Sequence, residues 1–115
     1  MLELAGGQIE GVTSEVVGQA YAGGDSVAKE VLLETVEVIT IWIGNIVDLL
    51  EPDVIIFGGG VSAMMNPFFG EIRKGLPAWC MNKRCVEIPI VPARYGTESG
   101  IAGGAAICML SGASE

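Results

Sequence analysis

Residues 50–62 read LEPDVIIFGGGVS: an acidic-proline-acidic lead-in, an apolar run and three glycines. Pro52 ends any helix that reaches it, because the residue before a proline is pushed out of the α region. Asp53 to Phe57 is a continuous run rich in β-formers, which fits a strand covered on both faces, as in a parallel sheet. Gly58, Gly59 and Gly60 follow at its carboxyl end. In open α/β sheets, ligands sit in the crevice beyond those ends. Glycines there remove Cβ atoms, so the backbone can approach a flat base, a ribose or a phosphate. A tight strand-to-helix turn with positive φ would use the same residues. The spacing matches neither GxxxxGK[ST] nor GxGxxG, and the next helix is not expected to sit directly on the glycines.

Upstream, Asp25 is a good N-cap for a helix running to about Leu50. Ala28, Val31, Leu32, Thr35, Val36, Ile39, Trp42, Ile43, Ile46 and Leu50 follow helical spacing. The second half of that helix, VEVITIWIGNIVDLL, is apolar on nearly every side, so it is expected to be sandwiched. It is shorter than a membrane span and carries Glu37, Asn45 and Asp48. Before it, Thr13 can cap a helix through TSEVVGQAYA that ends at Gly23-Gly24.

Downstream, Asn66 and Pro67 suit N-cap and N1 of a helix through about Trp79. Val86 to Val91 reads as a second strand, with Val86, Ile88 and Ile90 on one face. Pro89 cannot donate to a ladder and places that strand at a sheet edge. A last helix is expected from near Thr97 through GIAGGAAICML. The order is α-α-β-α-β-α, with two parallel strands joined by a right-handed crossover. Parallel sheets are normally larger, so residues 1–115 read as a single, incomplete α/β domain, the trailing half of a larger one.

Composition narrows the function. The 115 residues carry 14 acidic and 6 basic side chains, a net charge of −8. That argues against nucleic acid or an anionic membrane as main partner, since both need a basic face. Ten acidic residues and one basic residue, Lys29, lie in 1–57, which reads as a solvated acidic face on the early helices. The absence of histidine excludes His bases, Ser-His-Asp triads and His-ligated metals from this stretch. Three cysteines make a disulfide framework unexpected and a reducing cytoplasm the simpler home. The opening MLELAGGQIEG has no basic region before a long apolar run, so no secretory signal is expected.

Other motifs have structural readings of their own. Ala22 to Ala28, AGGDSVA, is a helix-turn-helix joint capped by Asp25. Tyr95 to Ala105, YGTESGIAGGA, is a capped helix start with small residues for close packing, and Glu98 sits where the helix dipole favours an anion. Cys80 and Cys85, flanking Lys83 and Arg84, are too few for a strong metal signal. Trp42 and Trp79 read as core or interface.

Taken together, AGGDSVA at 22–28, LEPDVIIFGGGVS at 50–62 and YGTESGIAGGAA at 95–106 resemble the C-terminal part of the ROK family of bacterial glucokinases, related sugar kinases and sugar-responsive repressors. The last motif departs from the family's more frequent Gly-Ala-Ala at Gly103-Gly104-Ala105. The resemblance implies the trailing part of an actin, hexokinase and Hsp70-like (ribonuclease H-like) domain, in a fold whose two α/β domains close over ATP and sugar. It implies that Gly58, Gly59, Gly60, Val61 and Ser62 line the adenine and ribose side of the nucleotide. The family's Asp-x-Gly-Gly-Thr phosphate loop, its Asn-Asp sugar pair with the catalytic aspartate, its second phosphate motif and its zinc cluster have no counterpart here. The resemblance therefore implies the nucleotide-side portion of an ATP-dependent, glucokinase-like hexose kinase, using ATP with magnesium when complete and inactive as this stretch alone. The alternative is the sugar-responsive dimerisation domain of a ROK-type repressor. A homo-oligomer, most simply a dimer, is expected through the 25–50 helix, the Val54–Phe57 edge or both.

Overall fold

The structure, a computed structural model, describes residues 1–112. Helix α1 (Ser14–Ala22) is capped by Thr13, whose hydroxyl accepts the Val16 amide. Gly24, at φ +85°, turns the chain out of it. Asp25 then caps α2 (Ser26–Leu50), accepting the Val27 and Ala28 amides at 2.9 and 3.0 Å through one oxygen. The Met1 ammonium lies 2.7 Å from the other oxygen. That hydrogen bond, with the amides, holds the Asp25 carboxyl below the usual range. α2 ends in Glu51, left-handed at φ 45°, directly before Pro52.

Strand β1 (Ile55–Phe57) pairs in parallel with β2 (Ile90–Pro92), Ile55 opposite Ile90 and Phe57 opposite Pro92. Between them lie α3 (Ser62–Met65), α4 (Phe69–Gly75) and three short 3₁₀ turns, Asn66–Phe68, Leu76–Ala78 and Lys83–Val86. A last 3₁₀ turn, Gly96–Glu98, leads into α5 (Ser99–Gly112). The core joins one face of α2 (Leu32, Val36, Ile43, Val47) to Met65, Phe68, Ile72, Leu76, Cys85, Ile88 and Ile90. The protein is thus a mixed α/β structure with two parallel strands. Among the described residues no helix is long and apolar enough to cross a membrane.

Several elements depart from expectation, each for a local reason. The helix expected over 66–79 is broken into α and 3₁₀ pieces at Pro67 and Pro77, which lack the N–H a continuous helix would use. It also starts earlier, at Ser62, so a helix does sit directly on the glycines. Val86 belongs to a 3₁₀ turn and is exposed, so β2 is shorter than 86–91. Pro89 precedes it, and its carbonyl accepts the Ile55 amide at 2.9 Å. Thr97 lies inside the 3₁₀ turn, and it is the Ser99 hydroxyl that bonds back, to the Gly96 carbonyl at 2.7 Å.

Burial is one-sided. Ile56 is 62% exposed, so β1 is covered on one face only. α2 buries Ile43 but leaves Val38, Trp42, Leu49 and Leu50 open, and Trp79 is likewise outside the core. None of the α5 residues is buried. The radius of gyration, 17.4 Å, exceeds the roughly 13 Å of a compact domain of this length, and the shortest axis is only 19 Å.

Candidate functional site

The two glycine-bearing turns meet at the carboxyl ends of the strands. Phe57 accepts the Ala93 amide, and the Gly59 amide then reaches the Gly96 carbonyl at 3.4 Å. A Cβ on Gly58 would lie 3.2 Å from Ala93 Cβ and 3.6 Å from Ser99 Oγ, so this glycine is set by contact with the neighbouring turn. Gly59 takes φ +96° and Gly96 φ +52°, conformations that side chains rarely adopt. Ser62 is buried, and its hydroxyl donates to the Gly59 carbonyl at 2.7 Å, locking the loop onto the start of α3.

Beside this loop lies an open cleft of about 450 Å³. One wall is α1, through Ser14, Glu15, Gly18, Gln19 and Ala22; the other is Gly60, Val61, Ala63 and Met64. Gly18 lets the walls approach, since a Cβ there would lie 3.0 Å from Met64 Sδ. The volume falls within the roughly 300–1,000 Å³ of small-molecule sites.

Of the five residues singled out in the sequence, Gly60 and Val61 line the cleft. Gly58, Gly59 and Ser62 do not; they shape the loop from behind. The α1 wall was not anticipated. Its signal was present in the four-residue spacing of Ser14, Gly18 and Ala22, which puts small side chains on one helix face.

Glu15 is the one charged residue among the nine that line the cleft. Its own backbone N–H, then the Thr13 and Ser14 hydroxyls, hold its carboxyl below the ordinary range. Among the described residues no three Cys, Asp or Glu side chains group closely enough to hold a metal ion.

The ROK family model matches residues 2–110. The chain belongs to the ROK family. Its curated ROK relatives include proteins named N-acetyl-D-glucosamine kinase. That of Pasteurella multocida (strain Pm70) is 32% identical over 103 residues, covering 89% of this chain and 33% of the relative. That of Histophilus somni (strain 129Pt) is 35% identical over 96 residues, 83% of this chain and 30% of the relative. That of Haemophilus influenzae (strain 86-028NP) is 34% identical over 95 residues, with the same coverage. The chain therefore spans about a third of the length of the curated ROK relatives it matches. No solved structure matches it.

Proposed function

We propose that this chain is the C-terminal, nucleotide-side portion of an actin-like ROK sugar kinase that transfers the γ-phosphoryl group of ATP to a hexose hydroxyl. The names of the relatives favour N-acetyl-D-glucosamine over glucose as the sugar. The observation that carries the reading is the cleft between α1 and the Gly60-Val61 loop, beside the carboxyl ends of two parallel strands. Its lining is largely small and apolar, which suits the flat face of adenine and its ribose. Gly58, Gly59 and Ser62 hold the loop in the shape that opens this wall.

Phosphoryl transfer also requires a base near the acceptor hydroxyl and cationic stabilisation of the phosphates. None of the nine lining residues is basic. Magnesium, the phosphate clamps and the sugar site belong, on this reading, to the part of the ROK domain beyond this stretch. The reading also places the protein in the cytoplasm, where its three free cysteines stay reduced.

Calorimetry with ATP and ADP tests the nucleotide site. Weak binding is expected, and Gly60→Val should abolish it. A Cβ at Gly60 meets nothing within 4 Å and the backbone there is not left-handed, so the valine fills the cleft without disturbing the fold. Binding undiminished by that substitution would place the nucleotide elsewhere.

A further inference from the structure

We propose that Cys80 and Cys85 form a redox clasp: Cys80 reacts with the disulfide of a small thiol such as glutathione, and Cys85 closes the bond that ties the turn between them.

The four residues between the two cysteines are held at several points. The Cys80 amide donates to the Leu76 carbonyl at 2.9 Å, and the Cys85 amide to the Asn82 carbonyl at 3.1 Å. Asp48, on α2, accepts the Met81 and Asn82 amides at 2.8 and 2.9 Å, one on each oxygen. The Asn82 side chain accepts the Arg84 amide at 2.9 Å. The turn is thereby fixed against α2 with the two thiols adjoining each other. Groups held together in this way react as one unit, without the entropy cost of finding each other.

Access to the two thiols is unequal. Cys85 is 1% exposed and belongs to the core, whereas Cys80 is half-buried, its thiol 3.8 Å from the Gly44 carbonyl oxygen. A small disulfide in solution therefore reaches Cys80 first. The Cys80 thiolate attacks one sulfur of that disulfide, whose S–S bond breaks, and one small thiolate leaves. The Cys85 thiolate then attacks the Cys80 sulfur of the mixed disulfide, and the second small thiolate leaves. Two electrons pass from the pair to the oxidant, and the two protons go to the departing thiolates.

Burial, then Cys85 and Asp48, push the Cys80 thiol up to about 11. Lys83 and Arg84 stand exposed on the turn that carries Cys85, and Arg84 is paired with Glu51 and Glu87. Little thiolate is present at neutral pH, so the clasp stays open in a reducing environment and closes only under sustained oxidation. None of the nine residues that line the cleft takes part, so the clasp is independent of the nucleotide reading.

The test treats a Cys108→Ser chain, which lacks the exposed thiol of α5, with glutathione disulfide. Mass spectrometry should show the loss of two hydrogen atoms, a link between residues 80 and 85, and no retained glutathione. Adding Cys85→Ser should trap one glutathione on Cys80. Adding Cys80→Ser should leave the folded chain unmodified. Mapping the 80–85 link needs neither of these substitutions, so it decides the matter even if a variant does not fold. Closure should speed up about tenfold per pH unit, in step with the thiolate fraction, and should still be rising above pH 9.0. The closed chain should unfold at a higher urea concentration than the reduced one, because the loop restrains the unfolded chain. Dithiothreitol should reverse both changes. A glutathione adduct that persists with Cys85 present, modification of Cys85 in the folded Cys80→Ser chain, or a lower urea midpoint on closure would overturn the proposal.

Discussion

The Gly59 amide donates to the Gly96 carbonyl, and both residues sit at positive φ. The turns after β1 and β2 are therefore one joint, in which each glycine is required by its backbone and not by crowding, since a Cβ at either position meets nothing within 4 Å. Gly59→Ala and Gly96→Ala should each destabilise the protein by about 1–2 kcal/mol, the cost of left-handed backbone for an L-residue. Urea unfolding measures this. Gly96→Asn should recover part of the loss, because asparagine tolerates the left-handed region.

Gly44 shows the opposite logic. Its φ is ordinary, but a Cβ would lie 3.1 Å from the Trp79 carbonyl oxygen and 3.2 Å from Trp79 Cβ. Alanine normally improves a helix by roughly 0.5–1 kcal/mol over glycine. Gly44→Ala should nonetheless destabilise, by about 1–3 kcal/mol, the usual range for overpacking. Gly103→Ala in α5 meets nothing within 4 Å and should raise helicity instead. Paired denaturation and circular dichroism of the two variants would show the reversal.

Cys80 gives an alkaline limit to stability. Burial, then the adjoining Cys85 thiol and the Asp48 carboxylate, push its pKa up from 9.0 to about 11. Below pH 9 the thiol is protonated in both folded and unfolded chains, and the shift has no effect. As pH rises from 9 towards 11 the unfolded chain ionises first, so folding stability falls across that window. Cys80→Ser removes the titrating group. Comparing unfolding midpoints near about pH 7.5 and about pH 10.5, either side of the ordinary thiol range, should show a smaller alkaline loss in the variant than in wild type.

The 115-residue chain alone should not phosphorylate N-acetyl-D-glucosamine, glucose, N-acetylmannosamine or fructose. The cleft supplies neither a phosphate clamp nor a base beside an acceptor hydroxyl. A coupled assay for ADP release should remain at blank. Sugar-dependent turnover by the pure chain would show that the missing chemistry lies within it.

Assembly provides a further check. Among the described residues β1 pairs only with β2, Ile56 faces outward, and α2 exposes Val38 and Trp42. Light scattering at micromolar concentration should report a homo-oligomer, most simply a dimer. Trp42→Glu should shift it towards monomer. A wild-type monomer would leave the 25–50 helix and the β1 edge without the role proposed for them.

Much of the fold was legible because its signals are local. Asp25 caps α2, Gly23-Gly24 closes α1, and Pro52 follows the end of α2. What the sequence concealed depends on tertiary context. Ile43 and Trp42 are neighbours in an equally apolar stretch, yet one is buried and the other 62% exposed. Periodicity gives the apolar side of a helix but not which part of that side meets a partner. The segment from Asn66 to Trp79 keeps an apolar pattern while Pro67 and Pro77 break its hydrogen bonding, so it reads as one helix and folds as several pieces. In the cleft, the glycine loop advertised itself, whereas the α1 wall is made of ordinary small and polar residues that become a wall only when Gly18 meets Met64.

The helix without a buried residue has a kinetic consequence. An isolated helix shorter than about 12–15 residues is marginal in water, and α5, with fourteen residues, is anchored chiefly through the turn that precedes it. Its amide hydrogens should exchange with solvent orders of magnitude faster than those of α2, through local opening that leaves the core intact. Whatever covers Ile101, Ile107 and Met109 would slow that exchange, which makes the α5 amides a gauge of whether this chain is alone or assembled.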